Sequence, residues 1–213
     1  MTEADTRINR IELIVAAVLQ IAIAAVGFGA AIQGYWLLAF SGFVVLLLTF
    51  TPAMIERQLH VTLPVEFTLL TCIFLFASFV LGEVRDFYER FWWWDLALHG
   101  VSALLLGFIG FLAVYVFHMT RRIEIKPFYI AVFTFCFAVT IGALWEILEF
   151  FADWYLGTNM QKSGIVDTMS DQIIDALGAF VAATMGFFYV RNGDSHFVRR
   201  LLSNYADRKD IPE

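Results

Sequence analysis

Charged side chains and cysteines are both scarce in this sequence of 213 residues. Asp, Glu, Lys and Arg make up 16% of it, whereas they make up roughly 25% of a soluble domain. The two cysteines form no CxxC motif, so neither a disulfide framework nor a cysteine-based metal site is expected. Because the sequence has no basic stripe and no nucleic-acid-binding motif, no nucleic-acid partner is expected. No serine or cysteine has a credible neighbouring base, so nucleophilic catalysis by these residues has no support.

The sequence instead contains several long runs of apolar residues. Hydrophobic residues make up 60% of the chain, and runs of about 18 or more are typical of transmembrane helices. We predict six spans, at residues 11–31, 35–54, 66–83, 95–117, 128–152 and 171–190. The predicted fold is all-α, a six-helix transmembrane bundle forming one domain over 1–190 in the lipid bilayer. A short polar cytoplasmic tail follows over 191–213, in which 197–205 is suited to a small amphipathic helix on the membrane surface.

The basic residues predict the orientation of the chain. Under the positive-inside rule, a cytoplasmic N-terminus places 11 of the 14 Lys and Arg residues inside and leaves Arg85, Arg90 and Lys162 outside. Both termini are then cytoplasmic. The 20 acidic residues divide evenly between the two sides, so ten acids and three basic residues give the outer face a net charge of −7. A field of that sign attracts cations.

Several of the outer acids lie within the apolar spans, although a charged residue at the bilayer centre costs roughly 2.5 to 3.5 kcal/mol. Spacings of three or four residues place them in groups that each share one face of a helix. The groups are Asp95 with His99; Glu146 with Glu149 and Asp153; and Asp167 with Asp171 and Asp175. Because the groups reach similar depths, we expect one pocket open to the outer side. Its predicted members are His99, Glu146, Glu149, Asp171 and Asp175, with Asp95, Asp153 and Asp167 around its mouth.

Carboxylates with one histidine form a set of hard metal ligands. Three outer basic residues cannot pair with ten acids, so some acids must be protonated, solvated or bound to a cation. We therefore predict a divalent metal ion, which is Mg²⁺, Mn²⁺, Fe²⁺, Ca²⁺ or Zn²⁺. Its predicted ligands are Asp95, His99, Glu146, Glu149, Asp171 and Asp175. Two alternatives stay open: a protonated carboxylate network, and unconnected helix caps at Asp95, Asp167 and Asp171.

Three functional hypotheses follow from such a site. The first is an enzyme whose metal ion activates water or polarises a phosphoryl oxygen of a lipid or envelope precursor, with Glu146 or Glu149 as the catalytic general base. The second is a cation or proton-coupled transporter. The third is a non-catalytic scaffold subunit of a membrane complex, whose protein partner the sequence does not identify. The segment from Trp154 to Ser170 is expected to be a loop, either an ordinary exposed one or a lid over the pocket.

Three segments of the chain resemble a known family. They are Trp94-Asp95 with His99; Trp145-Glu146-Ile147-Leu148-Glu149; and Gly157-Thr158 followed by Asp167-Thr168, Asp171 and Gly178-Ala179. In their order and their location at helix ends they resemble the YjdF-type family of bacterial inner-membrane proteins. More distantly they resemble VanZ-like membrane proteins, which share an Asp-x-x-x-His motif and a later helix with an acid and a glycine. The resemblance covers about residues 80–182.

The resemblance implies a bacterial inner-membrane protein with a polar pocket, but no particular reaction. VanZ-like proteins are linked to glycopeptide resistance, which implies envelope substrates. One departure concerns the loop, which in the family is shorter and carries a further Asp shortly before the Asp-Thr pair. Gly164-Ile165 stands at that place in this sequence, so no ligand is carried over there.

Overall fold

The computed structural model describes residues 3–59, 63, 65–120 and 124–192. These residues form helices and turns and contain no strand, which confirms the predicted all-α class. The predicted tail lies outside the described residues from residue 193 onward, together with its amphipathic segment 197–205. The cytoplasmic location of both termini stays a prediction.

The described chain consists of α-helices and one π-helical segment. The helices are α1 Glu3–Ile32, α2 Trp36–Leu48, α3 Thr51–Leu59, α4 Val65–Phe76, the π-helix Ala77–Val84, α5 Phe87–Arg90, α6 Trp94–Thr120, α7 Pro127–Leu156 and α8 Ile165–Asn192. Six stretches are long and apolar enough to cross a membrane: most of α1, α2 continued by α3, α4 continued by the π-helix, α6, α7 and α8. The predicted number of spans is therefore confirmed.

The described helices fall into two compact units, one within Met1–Phe91 and the other within Trp92–Asp194. In the first unit, α1 packs on α2 and α4. A Cβ added to Gly42 would lie 3.0 Å from the Cα of Gly27, so α1 and α2 meet almost backbone to backbone. The prediction of a single domain over 1–190 stays a prediction.

In the second unit, α6, α7 and α8 pack against one another through faces of small residues. The buried residues of α7 are Ile130, Thr134, Ala138, Gly142, Glu146 and Glu149, and those of α8 are Asp171, Asp175, Gly178, Ala179, Ala182, Ala183 and Gly186. A Cβ on Gly107 of α6 would lie 2.5 Å from the Cβ of Ala182, and one on Gly178 would lie 2.8 Å from the Cβ of Ala103. Such a close approach is the packing that small residues permit between membrane helices.

The same three faces carry acids at one end of the unit. That end is formed by the start of α6, the end of α7 and the start of α8. At the opposite end of α7, Pro127 is the first helical residue, a position at which the N–H that proline lacks would make no bond within the helix. The packing of the three helices therefore fixes where the acidic side chains meet.

Both α7 and α8 are longer at this end than predicted. α7 continues to Leu156 instead of ending at 152, and α8 begins at Ile165 instead of 171. The predicted loop from Trp154 to Ser170 is wrong in its bounds, because the connection covers only 157–164. The predicted bounds were too narrow because the acids lower the hydropathy near the ends of the two helices. The helices in fact end and begin beside Gly157 and Gly164, which adopt φ of +68° and +65°.

Candidate metal centre

His99 of α6 lies at the centre of the acidic cluster and is 7% exposed. Its Nδ1 atom is 3.3 Å from Asp175 Oδ2 on α8. Its Nε2 atom faces two other carboxylates, at 3.8 Å from Glu146 Oε1 on α7 and 3.9 Å from Asp95 Oδ1 on α6. Side chains from all three helices of the second unit therefore meet around one imidazole ring.

The carboxylates around His99 are buried but incompletely satisfied. Glu146, Asp171 and Asp175 are 5%, 2% and 2% exposed. Among the described residues, no hydrogen-bond partner meets either carboxylate oxygen of Glu146, Asp171 Oδ1 or Asp175 Oδ1. A buried polar atom without a partner costs about 1 to 3 kcal/mol, and more when it is charged. Binding of a cation to these oxygens would therefore be favourable.

Two polar side chains close to Glu146 are hydrogen-bonded to each other. Gln161 and Thr168 approach its carboxylate, but Gln161 Nε2 donates to Thr168 Oγ1 at 2.8 Å. The same amide lies 3.4 Å from the backbone carbonyl oxygen of Glu146. That bond leaves the Thr168 hydroxyl proton available to the Glu146 carboxylate, which also faces His99 Nε2 at 3.8 Å.

Two sets of three donors are close enough to hold a metal ion. The ligand atoms of His99, Glu146 and Asp171 lie within 4.8 Å of one another, and so do those of Asp95, Asp167 and Asp171. All three residues of the first set are buried, whereas Asp95 and Asp167 of the second are partly exposed. Asp171 of α8 belongs to both sets.

Glu149 and Asp175, both predicted as ligands, belong to neither set of three donors. Asp175 bonds the nitrogen of His99 that points away from Glu146. Glu149 Oε1 accepts a hydrogen bond from Trp145 Nε1 at 2.8 Å. A carboxylate on the second nitrogen of a histidine is the usual device that orients a ligating ring. The contact with His99 thus favours an orienting role for Asp175, and direct ligation by Glu149 and Asp175 stays a prediction.

Asp153 anchors the 157–164 loop. Its carboxylate accepts hydrogen bonds from Thr158 Oγ1 at 2.6 Å, the Met160 amide at 2.7 Å and the Gln161 amide at 2.9 Å. From this loop, Gln161 reaches α7 and α8, and Lys162 Nζ lies 3.4 Å from Asp95 Oδ2 on α6. The loop therefore contacts all three helices at the acidic cluster.

Asp167 is the donor that the predicted ligand set omits. It lies in the first turn of α8, one turn before Asp171, and the spacing of four residues is the signal in the sequence that points to it. Asp171 lies farther inside the helix and is 2% exposed, so helix capping does not account for it. Asp95 and Asp167 do occupy first-turn positions, where the helix dipole favours a carboxylate.

Comparison with known proteins gives the family of the chain. Residues 11–192 match the family model described as "Predicted membrane protein (DUF2238)". The chain belongs to this family. The matched DUF2238 region contains α6, α7 and α8 and hence the whole acidic cluster. The chain is an integral membrane protein with six spans.

One relative of this DUF2238 protein is an uncharacterized protein of Thermotoga maritima. The two are 30% identical over 134 residues, which is 63% of this chain and 68% of the relative. No solved structure matches the chain. The expectation of a membrane-protein family is thereby confirmed, while the YjdF-type and VanZ-like resemblances stay predictions.

Proposed function

We propose that this DUF2238 protein binds a divalent metal ion through His99, Glu146 and Asp171. The observation that carries the proposal is the combination of three buried donors within 4.8 Å of one another with carboxylate oxygens that have no hydrogen-bond partner among the described residues. A cation satisfies several such oxygens at once. Asp175 then holds the ring of His99 from its other nitrogen.

The distances around His99 favour a metal ion over a protonated network. A protonated carboxyl group would donate a hydrogen bond, which requires a donor–acceptor separation near 2.7 to 3.2 Å. Nε2 lies instead 3.8 Å from Oε1 of Glu146. Two ligand atoms that each bind the same ion at about 2.1 Å can lie up to about 4.2 Å apart. The observed separation between these two proposed ligands falls between these limits.

The donor set narrows the identity of the ion. Carboxylates suit Mg²⁺, Ca²⁺ and Mn²⁺, whereas an imidazole suits Zn²⁺ and Fe²⁺. One imidazole among carboxylates is the combination that Mn²⁺ and Fe²⁺ accept best, so these two are the first ions to test. Mg²⁺, Ca²⁺ and Zn²⁺ complete the panel.

For this site we propose metal-dependent chemistry on a lipid or envelope precursor at the outer leaflet of a bacterial inner membrane. The site is close to the helix ends and to the 157–164 loop, where a polar headgroup is accessible from water. The ion would polarise a phosphoryl oxygen or activate water. Glu149, buried beside the donors and held by Trp145, is the candidate general base.

Transport receives less support from the helices. Away from the cluster, the buried residues of α7 and α8 are apolar or glycine except Thr134, whose hydroxyl donates to the Ile130 carbonyl oxygen at 2.8 Å. An ion leaving the cluster along this interface would meet no further buried carboxylate among the described residues of α7 and α8. A scaffold role remains the third hypothesis, and lack of turnover with bound metal would favour it.

The test is metal content after purification in detergent. Wild type, Glu146→Gln and the control Glu89→Gln are each incubated with one of the five ions, washed and analysed by elemental mass spectrometry. Glu89 is exposed and lies outside the cluster, so its variant reports loss of surface binding alone. We expect tight binding in wild type and in Glu89→Gln and at least a ~10-fold lower content in Glu146→Gln.

A wild type that retains none of the five ions would contradict the proposal. The enzymatic part is tested on the same samples, by phosphate release from lipid phosphates and lipid diphosphates in mixed micelles. Turnover that needs the ion and is lost in Glu146→Gln would support it. Metal binding without turnover on any of these substrates would move the interpretation to a structural or scaffold role.

A further inference from the structure

The second donor set lies directly beside the first. Asp95 comes from the first turn of α6, and Asp167 and Asp171 come from consecutive turns of α8. Asp171 supplies a ligand atom to each set, and a carboxylate has two oxygens with which it can bind two ions. Enzymes that use two metal ions hold them about 3.5 to 4 Å apart, and a shared carboxylate produces that kind of spacing.

A second observation supports a ligand at this place. Asp171 is 2% exposed, and its Oδ1 has no hydrogen-bond partner among the described residues. Asp95 meanwhile has one oxygen 3.9 Å from His99 Nε2 and the other 3.4 Å from Lys162 Nζ. Both carboxylates therefore lie at the junction of the two donor sets.

The charge of the cluster is large enough to accommodate two divalent ions. Its six carboxylates belong to Asp95, Glu146, Glu149, Asp167, Asp171 and Asp175. Lys162 supplies one positive charge, while Lys126 and Arg191, the other described basic residues of this unit, lie at the opposite ends of α7 and α8. With all six ionised and His99 neutral, one divalent ion leaves three uncompensated negative charges, and two ions leave one. Such a balance matters because uncompensated buried charge is strongly destabilising.

We propose that the cluster binds two divalent ions, the second held by Asp95, Asp167 and Asp171, with Asp171 bridging the pair. This inference rests on the proposed function, since it assumes that the first ion is bound. The second site contains oxygen donors only and is the more exposed of the two. Hence it exchanges its ion more readily than the site of His99.

Manganese is the probe, because it binds both kinds of donor and reports its surroundings by electron paramagnetic resonance. Wild type, Asp167→Asn and Glu89→Gln are loaded with Mn²⁺ and freed of excess ion. We expect about two Mn²⁺ per chain in wild type and Glu89→Gln, and about one in Asp167→Asn. The spectrum should show two exchange-coupled ions in wild type and an isolated six-line signal in Asp167→Asn. Should Asp167→Asn fail to fold, Asp95→Asn removes a donor of the same site from another helix.

One Mn²⁺ per chain in wild type would overturn the second site and leave the first standing. Two Mn²⁺ per chain in folded Asp167→Asn would also overturn the assignment. If wild type binds no Mn²⁺, the second site is wrong, and if the other four ions also fail to bind, the proposed function is wrong with it. The two failures are thus distinguishable.

Discussion

Replacing Asp175 by asparagine separates orientation of His99 from direct binding of the ion. The substitution keeps the size of the side chain and one oxygen acceptor but removes the negative charge. Asp175 Oδ2 lies 3.3 Å from His99 Nδ1, and the residue is 2% exposed. If this carboxylate only orients the ring, its loss should weaken metal binding without abolishing it.

The size of the effect follows from comparable contacts. Loss of a carboxylate that holds a ligating histidine typically weakens metal affinity 10- to 100-fold, which corresponds to about 1.4 to 2.7 kcal/mol. The distance of 3.3 Å is beyond the usual range of an N–H···O bond, so we expect the lower half of that range. Glu146→Gln removes a proposed ligand and should weaken binding far more.

The assay is competition for Mn²⁺ against a chromophoric chelator, with the proteins in one detergent and at one salt concentration. Wild type, Asp175→Asn and Glu146→Gln are compared, and the Tm of each metal-free protein controls for loss of folding. An unchanged affinity in Asp175→Asn would refute the orienting role. A loss as complete as that of Glu146→Gln, at an unchanged Tm, would show that Asp175 is a ligand, as the sequence alone predicts.

Two further predictions concern packing and the loop. A Cβ in Gly142→Ala would collide with the Asp175 carboxylate, so we expect metal affinity to fall roughly 10-fold. A Cβ in Gly107→Ala would meet an alanine of α8 instead. This second variant should therefore have a lower Tm but an unchanged metal affinity. Equal affinities in these two variants would contradict the reasoning. Asp153→Ala removes three hydrogen bonds from the 157–164 loop, and amide exchange there should rise at least ~10-fold, the equivalent of about 1.4 kcal/mol. Unchanged exchange, measured by mass spectrometry, would count against the anchor.

The helical class, the six spans and the faces of the acids could be predicted because they depend on local regularities. Apolar runs mark the spans, and the interval between Glu146 and Glu149 places both on one face whatever their neighbours are. The close approach at Gly178 was likewise predictable from its lack of a side chain. None of these features requires knowledge of how distant segments meet.

Other features depend on tertiary contacts that spacing does not encode. The early start of α8 at Ile165 was missed because the acids in its first turns lower the hydropathy that marks a span. Spacing placed Asp175 near His99 but could not show which ring nitrogen it contacts. The importance of Asp167 depends on its proximity to Asp95 of another helix. These assignments required the packing of α6, α7 and α8.

The small-residue faces of these helices also limit how a substrate can enter. Gly107 and Gly178 bring the backbones so close that even one added methyl group meets a neighbour, so an acyl chain has no passage between α6 and α8 at these points. A lipid of the class proposed above would then reach the cluster with its headgroup from the end occupied by the 157–164 loop, and not through the α6–α8 interface. Selection among lipids would then depend on the shape and charge of the headgroup, and hardly on the length of the chains.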